Sequence, residues 1–367
     1  MLTGIKSKYI LEEILSYITK KVKLKLVTYN KKLQSKLNIS KNDYKYFGKI
    51  VIELFPCELN EDEEYKYINI NSKDESFYHI YFNDDEKEIV TAGITNFFKY
   101  LFKKKYCIKK SDEIKKIKVI IDKKVTSLKG LFKECQCIEK INFIIFENDH
   151  ITDMSEMFEE CINLCSLDIL KINTEQVTDM KEMFRNCKKL EKLDLRNFNL
   201  KNVTNMKSMF HFCEALKDLN FLIFDTSNVS QMNDLFYYCS SLKELNIYNS
   251  DVYNEKEFNN IYKKYPSLKD LNILNFVTSK VTDMSFLFDS CESLEKFHMI
   301  NFDTSNATIM NRIFDGCKLL TDIDLSKFIV NEKISIHASF WDCHPKLVEK
   351  VKREVLNINI EGRKAFK

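Results

Sequence analysis

Glycine and proline are scarce in this chain of 367 residues, which contains 6 Gly, 3 Pro and one Trp. So few glycines argue against the glycine-rich loops that cradle phosphates, and the scarcity of both residues argues against flexible linkers. No strong excess of charge is present either, since 57 basic and 54 acidic side chains give a formal net charge of +3. That balance gives no reason to expect a nucleic-acid partner, because DNA-binding domains concentrate a basic excess on one face.

Catalytic and metal-binding spacings are also missing. The six histidines fit no H-x-x-x-H or H-E-x-x-H pattern, and no G-x-S-x-G motif occurs. Two close cysteine pairs, Cys135 with Cys137 and Cys161 with Cys165, lack the paired spacing of a zinc site. The sequence therefore predicts a protein that is not an enzyme, with no catalytic residue, no cofactor and no metal site.

Long apolar runs are the third absence. Lysines and glutamates interrupt residues 1–25, so this stretch lacks the apolar core of a signal peptide. No run reaches the length needed to span a bilayer. With the many thiols, these absences favour a cytoplasmic location, and the alternative is the cell surface, reached by an unrecognised route.

A period of 26 residues is what the sequence does contain. It is clearest in one column of cysteines: Cys135, Cys161, Cys187, Cys213, Cys239, Cys291, Cys317 and Cys343. The one position of this series that lacks cysteine holds Tyr265, another residue that can be buried. A fixed period in the twenties indicates stacked repeats. Because eight of the twelve cysteines share one column, we interpret them as small buried packing residues rather than as disulfide or metal chemistry.

Each repeat shows two apolar patterns, as the stretch 177–202 illustrates. Three leucines spell L-x-x-L-x-L, the strand signature of leucine-rich repeats: Leu190, Leu193 and Leu195. Four upstream residues have the spacing of one face of a short helix: Met180, Met183, Phe184 and Cys187. We therefore predict that each repeat forms a strand, a corner, a short helix and a second corner.

The pattern V-T-x-M-x-x-M-F-x-x-C-x-x-L-x-x-L-x-L resembles the BspA-like leucine-rich repeat family, over residues 125–345. The resemblance implies a right-handed solenoid used for binding and implies no catalytic residues. The expected fold class is an α/β repeat, a leucine-rich-repeat solenoid of about nine 26-residue coils with a small N-terminal α+β cap. The expected regions are a helical segment at 1–40, an α+β cap at 41–124, the repeats at 125–345, and a helical cap and tail at 346–367.

The helical segment at 1–40 carries a second resemblance. The stretch from Tyr9 to Leu37, YILEEILSYITKKVKLKLVTYNKKLQSKL, is similar in order to an F-box, although it lacks the preceding proline and has a lysine-rich loop. The resemblance implies that Leu11, Ile14 and Leu15 dock a Skp1-like adaptor of a ubiquitin ligase. The alternative is a helical cap that packs on its neighbours.

The strand side of the repeats is the candidate binding surface. One outward column is unusually apolar, and large apolar surfaces often mark interaction sites. The predicted partner-binding residues in this column are Leu170, Arg196, Leu222, Tyr248, Leu274 and Ile300. A neighbouring acidic stripe, Asp218, Glu244 and Asp270, favours a basic partner. The alternative is that a flanking loop covers the apolar column.

Two functions follow from these expectations. The first is a protein–protein interaction scaffold that binds a protein partner on its strand face, in the form of an F-box-like substrate receptor. The second is a BspA-like adhesin or other surface protein, which would need an export route.

Overall fold

The computed structural model describes residues 48–61, 63–83, 106–122, 125–221, 225–247, 277–299, 302–330, 333–355 and 365–366. In order, the strands are β1 (Lys49–Pro56), β2 (Tyr65–Lys66), β3 (Tyr78–Phe82), β4 (Cys107–Ile108), β5 (Ile117–Asp122), β6 (Ile138–Phe146), β7 (Ser166–Asp168), β8 (Lys192–Asp194), β9 (Asp218–Asn220), β10 (Glu244–Ile247) and β11 (Lys296–Met299). Helix α1 spans Pro345–Glu354, and 3₁₀ turns cover Glu75–Phe77 and Lys110–Asp112. The expected helical segment at 1–40 lies outside the described residues.

A five-stranded sheet joins the N-terminal region to the first repeats, with the strand order β3-β5-β1-β6-β7. Its strands are rich in β-branched residues, as in the KIVIELFP sequence of β1, and this composition favours extended backbone. Strand β6 pairs antiparallel with β1 and parallel with β7, so one sheet continues from this region into the repeats. Asn69 covers the first repeat directly, because its backbone N–H donates to Leu131 O (2.7 Å) and its side-chain amide donates to Lys133 O (2.7 Å).

The predicted fold class, an α/β leucine-rich-repeat solenoid, is wrong. The described residues are mostly β-structure and turns with one α-helix, α1. Their strands form one five-stranded and three two-stranded sheets, which mix parallel and antiparallel pairs. In place of the expected helix, residues 180–186 form a series of turns.

Left-handed residues are the physical reason that the helix does not form. In the repeat at 177–202, Glu182 has a φ of 56° and Asn186 has a φ of 59°, and an α-helix requires negative φ. The equivalent positions of other described repeats also have positive φ, for example Ser208 and Phe212. Two such residues per repeat divide the segment into tight turns.

Alternate amides of this segment bond in two directions. The N–H groups of Met183 and Arg185 close turns by donating to the carbonyls three residues earlier, at 3.2 and 3.1 Å. Those of Glu182, Phe184 and Asn186 donate to the next repeat, at 2.9, 2.9 and 2.8 Å. We call the repeats joined in this way the repeat stack, which comprises the described residues 125–221, 225–247, 277–299, 302–330 and 333–343.

A column of phenylalanine rings forms the centre of the repeat stack. Each ring faces its neighbour with centroids 5.3–5.7 Å apart. The rings belong to Phe132, Phe158, Phe184, Phe210, Phe236, Phe288, Phe314 and Phe340, and each is at most 1% exposed. The apolar columns read from the sequence are thus buried, although the backbone that buries them is not helical.

The stack omits one stretch of repeat-like sequence. The ring of Phe236 stacks on that of Phe288 at 5.5 Å, and the Phe236 N–H donates to Leu287 O at 3.0 Å. Strand β10 pairs in parallel with β11. The repeat that begins at 229 therefore contacts the repeat that begins at 281, and the expectation of about nine successive coils is wrong at this point. Residues 248–276 lie outside the described residues.

The column cysteines hydrogen-bond between repeats as well as filling space. The thiol of Cys187 donates to Phe158 O at 3.2 Å, and that of Cys213 donates to Phe184 O at 3.1 Å. Across the omitted stretch, Cys291 keeps the same bond by donating to Phe236 O at 3.1 Å. Burial raises the pKa of the Cys213 thiol to about 12, against a smaller lowering effect of the Cys187 backbone. A thiol in this state is a poor nucleophile because the thiolate is the reactive form.

Removing one ring should weaken the stack. We expect Phe184→Ala to lower the free energy of unfolding by about 3–5 kcal/mol, because it removes a fully buried ring and leaves a cavity between two neighbours. Phe212→Ala is the matched control, since Phe212 belongs to the next repeat but is only half-buried. Chemical denaturation would measure both. A loss for Phe184→Ala no larger than that for Phe212→Ala would contradict the central position of the ring column.

Thiol reactivity should separate the buried column from the surface. We expect iodoacetamide to alkylate the exposed Cys165 of the folded protein at neutral pH, while the seven fully buried column cysteines react only after unfolding. Peptide mass spectrometry would assign the labelled positions, with the denatured protein as the control. Comparable labelling rates at Cys165 and Cys187 under native conditions would show that the column is not buried as described.

Candidate protein-interaction surface

Leu170 and Arg196 occupy equivalent positions on adjacent repeats, each two residues beyond the end of a strand, β7 or β8. The side-chain amide of Asn197 donates to Leu170 O, which ties the corner of one repeat to the corner of the next. Leu170 is half-buried and Arg196 is exposed. The structure thus brings together these two members of the predicted binding column.

The Arg196 guanidinium is held by Asp194 in its own repeat. Its Nε lies 2.9 Å from Oδ1, and its Nη2 lies 2.6 Å from Oδ2 of that carboxylate. The hydrogen bonds from Arg196 lower the pKa of Asp194 below its usual value, against a smaller opposing effect of burial. Although 56% of the Arg196 side chain stays exposed, its orientation is fixed by this fork-shaped pairing.

The predicted acidic residues lie in register with basic ones. Asp218 forms an ion pair with Lys192 of the preceding repeat, with 3.1 Å between Oδ2 and Nζ. Glu244 lies opposite Lys296 in the β10–β11 register. A second ion pair between the repeats of Lys192 and Asp218 joins Glu191 to Lys217, with 3.1 Å between Oε2 and Nζ. Basic residues, Lys192 and Lys296, therefore flank Asp218 and Glu244, the two described members of the predicted acidic stripe.

Other predicted binding residues lie outside the described residues: Leu222, Tyr248, Leu274, Ile300 and Asp270, together with the adaptor-docking residues Leu11, Ile14 and Leu15. The roles of all of these residues, and of those placed above, stay predictions.

The position two residues before the corner positions Leu170 and Arg196 holds an aspartate in several repeats, as in Asp168, Asp194 and Asp324, and this column has a structural use that the sequence did not reveal. The carboxylate of Asp324 accepts from the Ser326 N–H at 2.8 Å, and that of Asp194 accepts from the Arg196 N–H at 3.2 Å. This is the local turn in which an aspartate caps the backbone two residues further on. The column thus shapes the corner at which Leu170 and Arg196 lie.

A second surface lies on the turn side of the stack and was missed by sequence reasoning. We call it the aromatic patch, formed by His211, Phe212, Tyr237, Tyr238 and Phe286. The His211 ring lies 4.6 Å from the Phe212 ring and 4.7 Å from the Tyr237 ring, and Tyr238 is 41% exposed. The sequence contains a signal for this patch: in two consecutive repeats, the two residues before the column cysteine are aromatic or histidine.

Charged groups border the aromatic patch. Burial lowers the pKa of His211 to about 4, and the nearby Arg185 adds to this effect. Arg312 lies with its guanidinium carbon 5.7 Å from the centre of the Phe286 ring. Arg312 Nε is also 2.8 Å from Asp289 Oδ2, yet burial dominates and raises the pKa of Asp289 to about 6. The rings contact one another closely, so the patch is a packed surface rather than an open cage.

Two further features are absent from the described residues. They contain no group of three or more His, Cys, Asp or Glu side chains arranged to hold a metal ion. Among these same parts of the chain, no helix has the length and apolar character needed to cross a membrane.

Comparison with known proteins gives a family. Residues 126–248 and 242–352 each match the family model described as "Mycoplasma protein of unknown function, DUF285". This family is associated with BspA-like repeat proteins, although no direct leucine-rich-repeat or F-box match was found. No curated protein and no solved structure matched the chain. Since the two matches together cover more than half of the sequence, the chain belongs to the DUF285 family.

Proposed function

We propose that this protein is a non-enzymatic scaffold that binds a protein partner along the strand side of its repeat stack. The observation that supports this most is the pairing of a half-buried apolar residue, Leu170, with an exposed arginine, Arg196, at equivalent positions one repeat apart. Arginine beside apolar surface is a common anchor in protein interfaces. Asp194 holds the guanidinium in place, which reduces the conformational entropy lost on binding.

The charges around this pair favour a partner of mixed charge. Lys192 and Asp218 pair across two repeats and keep 76% and 51% of their side chains exposed. Exposed pairs of this kind contribute little to stability, so they are available to exchange partners in a complex. Charges of both signs on one surface fix the register of a bound protein more than they raise its affinity.

Within the stack, many polar side chains of the repeats serve structural bonds. The buried Thr174 bridges to the next repeat, since it donates to Asn199 O at 3.0 Å and accepts from the Asn199 N–H at 2.7 Å. The side-chain amide of Asn202 donates to Glu175 O at 2.7 Å. This use of polar groups supports a scaffold rather than a catalyst.

The finer part of the proposal concerns the partner and the location. We place the protein in the cytoplasm as an F-box-like substrate receptor, with Leu11, Ile14 and Leu15 docking a Skp1-like adaptor. The order of apolar residues between Tyr9 and Leu37 supports this part, and the twelve free thiols are compatible with a reducing compartment.

Site-specific photo-crosslinking tests the binding face. A photoreactive phenylalanine analogue would replace Leu170 or Arg196 in a tagged protein expressed in its own cells, and Tyr238 on the turn side would be the matched control position. We expect a discrete crosslinked species from positions 170 and 196 and at least several-fold less from 238. The crosslinked protein would be identified by mass spectrometry.

The pattern of crosslinks decides between the readings. Crosslinking from position 238 but not from 170 or 196 would contradict strand-side binding. Co-purification of a Skp1-like adaptor would support the F-box-like role. Removal of the tagged protein by protease treatment of intact cells would instead favour the surface-protein alternative, which the association with BspA-like repeat proteins brings into consideration.

A further inference from the structure

The far end of the repeat stack is covered by two residues from further along the chain. The N–H of Phe340, in the repeat that begins at 333, donates to Ala365 O at 2.8 Å. The ring of Phe366 then lies 6.0 Å from that of Phe340, inclined by 31°. Helix α1 lies between the two in sequence.

This contact has the geometry of a contact between repeats. The Phe288 N–H donates to Ile313 O at 2.9 Å, and the Phe314 N–H donates to Ser339 O at 3.0 Å. In each case the acceptor is the residue that precedes the next ring of the column. Ala365 precedes Phe366 in the same way, so this dipeptide takes the place of the equivalent pair in a following repeat.

The surroundings of the dipeptide restrict its composition. Ala365 is 0% exposed, so its position has no space for a large side chain. Phe366 packs against the core and carries the Lys352 ammonium of α1 at 4.8 Å from its ring centre. A small residue followed by an aromatic one satisfies the backbone bond, the tight space and the cation–π contact together.

We infer that the end of the stack beyond Phe340 is a peptide-binding site for a small residue followed by phenylalanine. The chain fills this site with its own Ala365–Phe366, which acts as the cap of the stack. Stacked repeats need such a cap because the last repeat otherwise exposes its apolar face and unpaired backbone groups. The site is distinct from strand-side binding, and the inference does not rest on the proposed scaffold function.

A vacated site should accept the same dipeptide from a separate molecule. We expect the Phe366→Ala protein to bind the peptide EGRKAFK, residues 361–367, saturably, and the unaltered protein to bind it at least tenfold more weakly. The single tryptophan, Trp341, adjoins Phe340 and is 53% exposed, so its fluorescence reports on this end. Leu319→Ala is the control variant, since Leu319 is an exposed apolar residue that takes part in neither the Phe340–Ala365 hydrogen bond nor the Phe340–Phe366 ring contact.

Peptide variants test the selectivity. A peptide with leucine in place of the alanine should fail to bind because the Ala365 position is fully buried. Circular dichroism would establish that Phe366→Ala is folded. Absence of peptide binding to the folded variant, or equal binding to the variant and to the Leu319→Ala protein, would overturn the inference.

Hydrogen exchange gives a second measurement that needs no folded variant. In the unaltered protein, the Phe340 amide should exchange at a rate comparable to that of the Phe314 amide, which bonds to the next repeat. Exchange of the Phe340 amide at the rate of an unstructured peptide would show that Ala365 does not cap it.

Discussion

The hydrogen bond from every second amide in the turn segment of one repeat to a carbonyl of the next is the interaction on which the rest of this structure depends. It exists because two residues per repeat, such as Glu182 and Asn186, adopt left-handed backbone. Each non-glycine residue in that region costs about 1–3 kcal/mol, and the bonds to the next repeat offset this cost only when that repeat is present. A single repeat of this kind is therefore unstable alone, and the fold consists of neighbours that fix one another.

The same hydrogen bonds between repeats also align the buried side chains. Once adjacent turns are joined, Phe184 lies over Phe210, and the Cys213 thiol reaches Phe184 O at 3.1 Å. These hydrogen bonds and ring contacts require two repeats to be neighbours in space, but the two repeats need not be successive in the sequence. This is why Phe236 can stack directly on Phe288 across the omitted stretch, and why Phe366 can complete the column after α1.

The sequence predicted the buried columns but not the backbone that buries them. Met180, Met183, Phe184 and Cys187 have helical spacing, and all four are buried. A series of tight turns with left-handed residues places the same four side chains on one side, so periodicity alone cannot distinguish it from a helix. Glycine would have marked the left-handed positions, but it stands there only at Gly130 and Gly316 among the described repeats.

The omitted stretch and the candidate site show two further limits. Apolar replacements such as Phe258 and Tyr265 preserve the repeat pattern, so the direct contact between the repeats that begin at 229 and 281 could not be predicted from it. The equivalence of Leu170 and Arg196 could be predicted from the period. The pairing of Arg196 with Asp194 could not, because the cap at the corner depends on local turn geometry that follows the strand.

A double-mutant cycle between Phe236 and Phe288 tests the account most directly, since these rings touch only if the stack passes over residues 248–276. The single and double alanine variants would be compared by chemical denaturation, with Phe236 and Phe340, which share no neighbouring ring, as the reference pair. The account predicts a coupling of about 0.5–1.5 kcal/mol for the first pair and near zero for the reference pair. Equal couplings for the two pairs would contradict direct stacking across the omitted stretch.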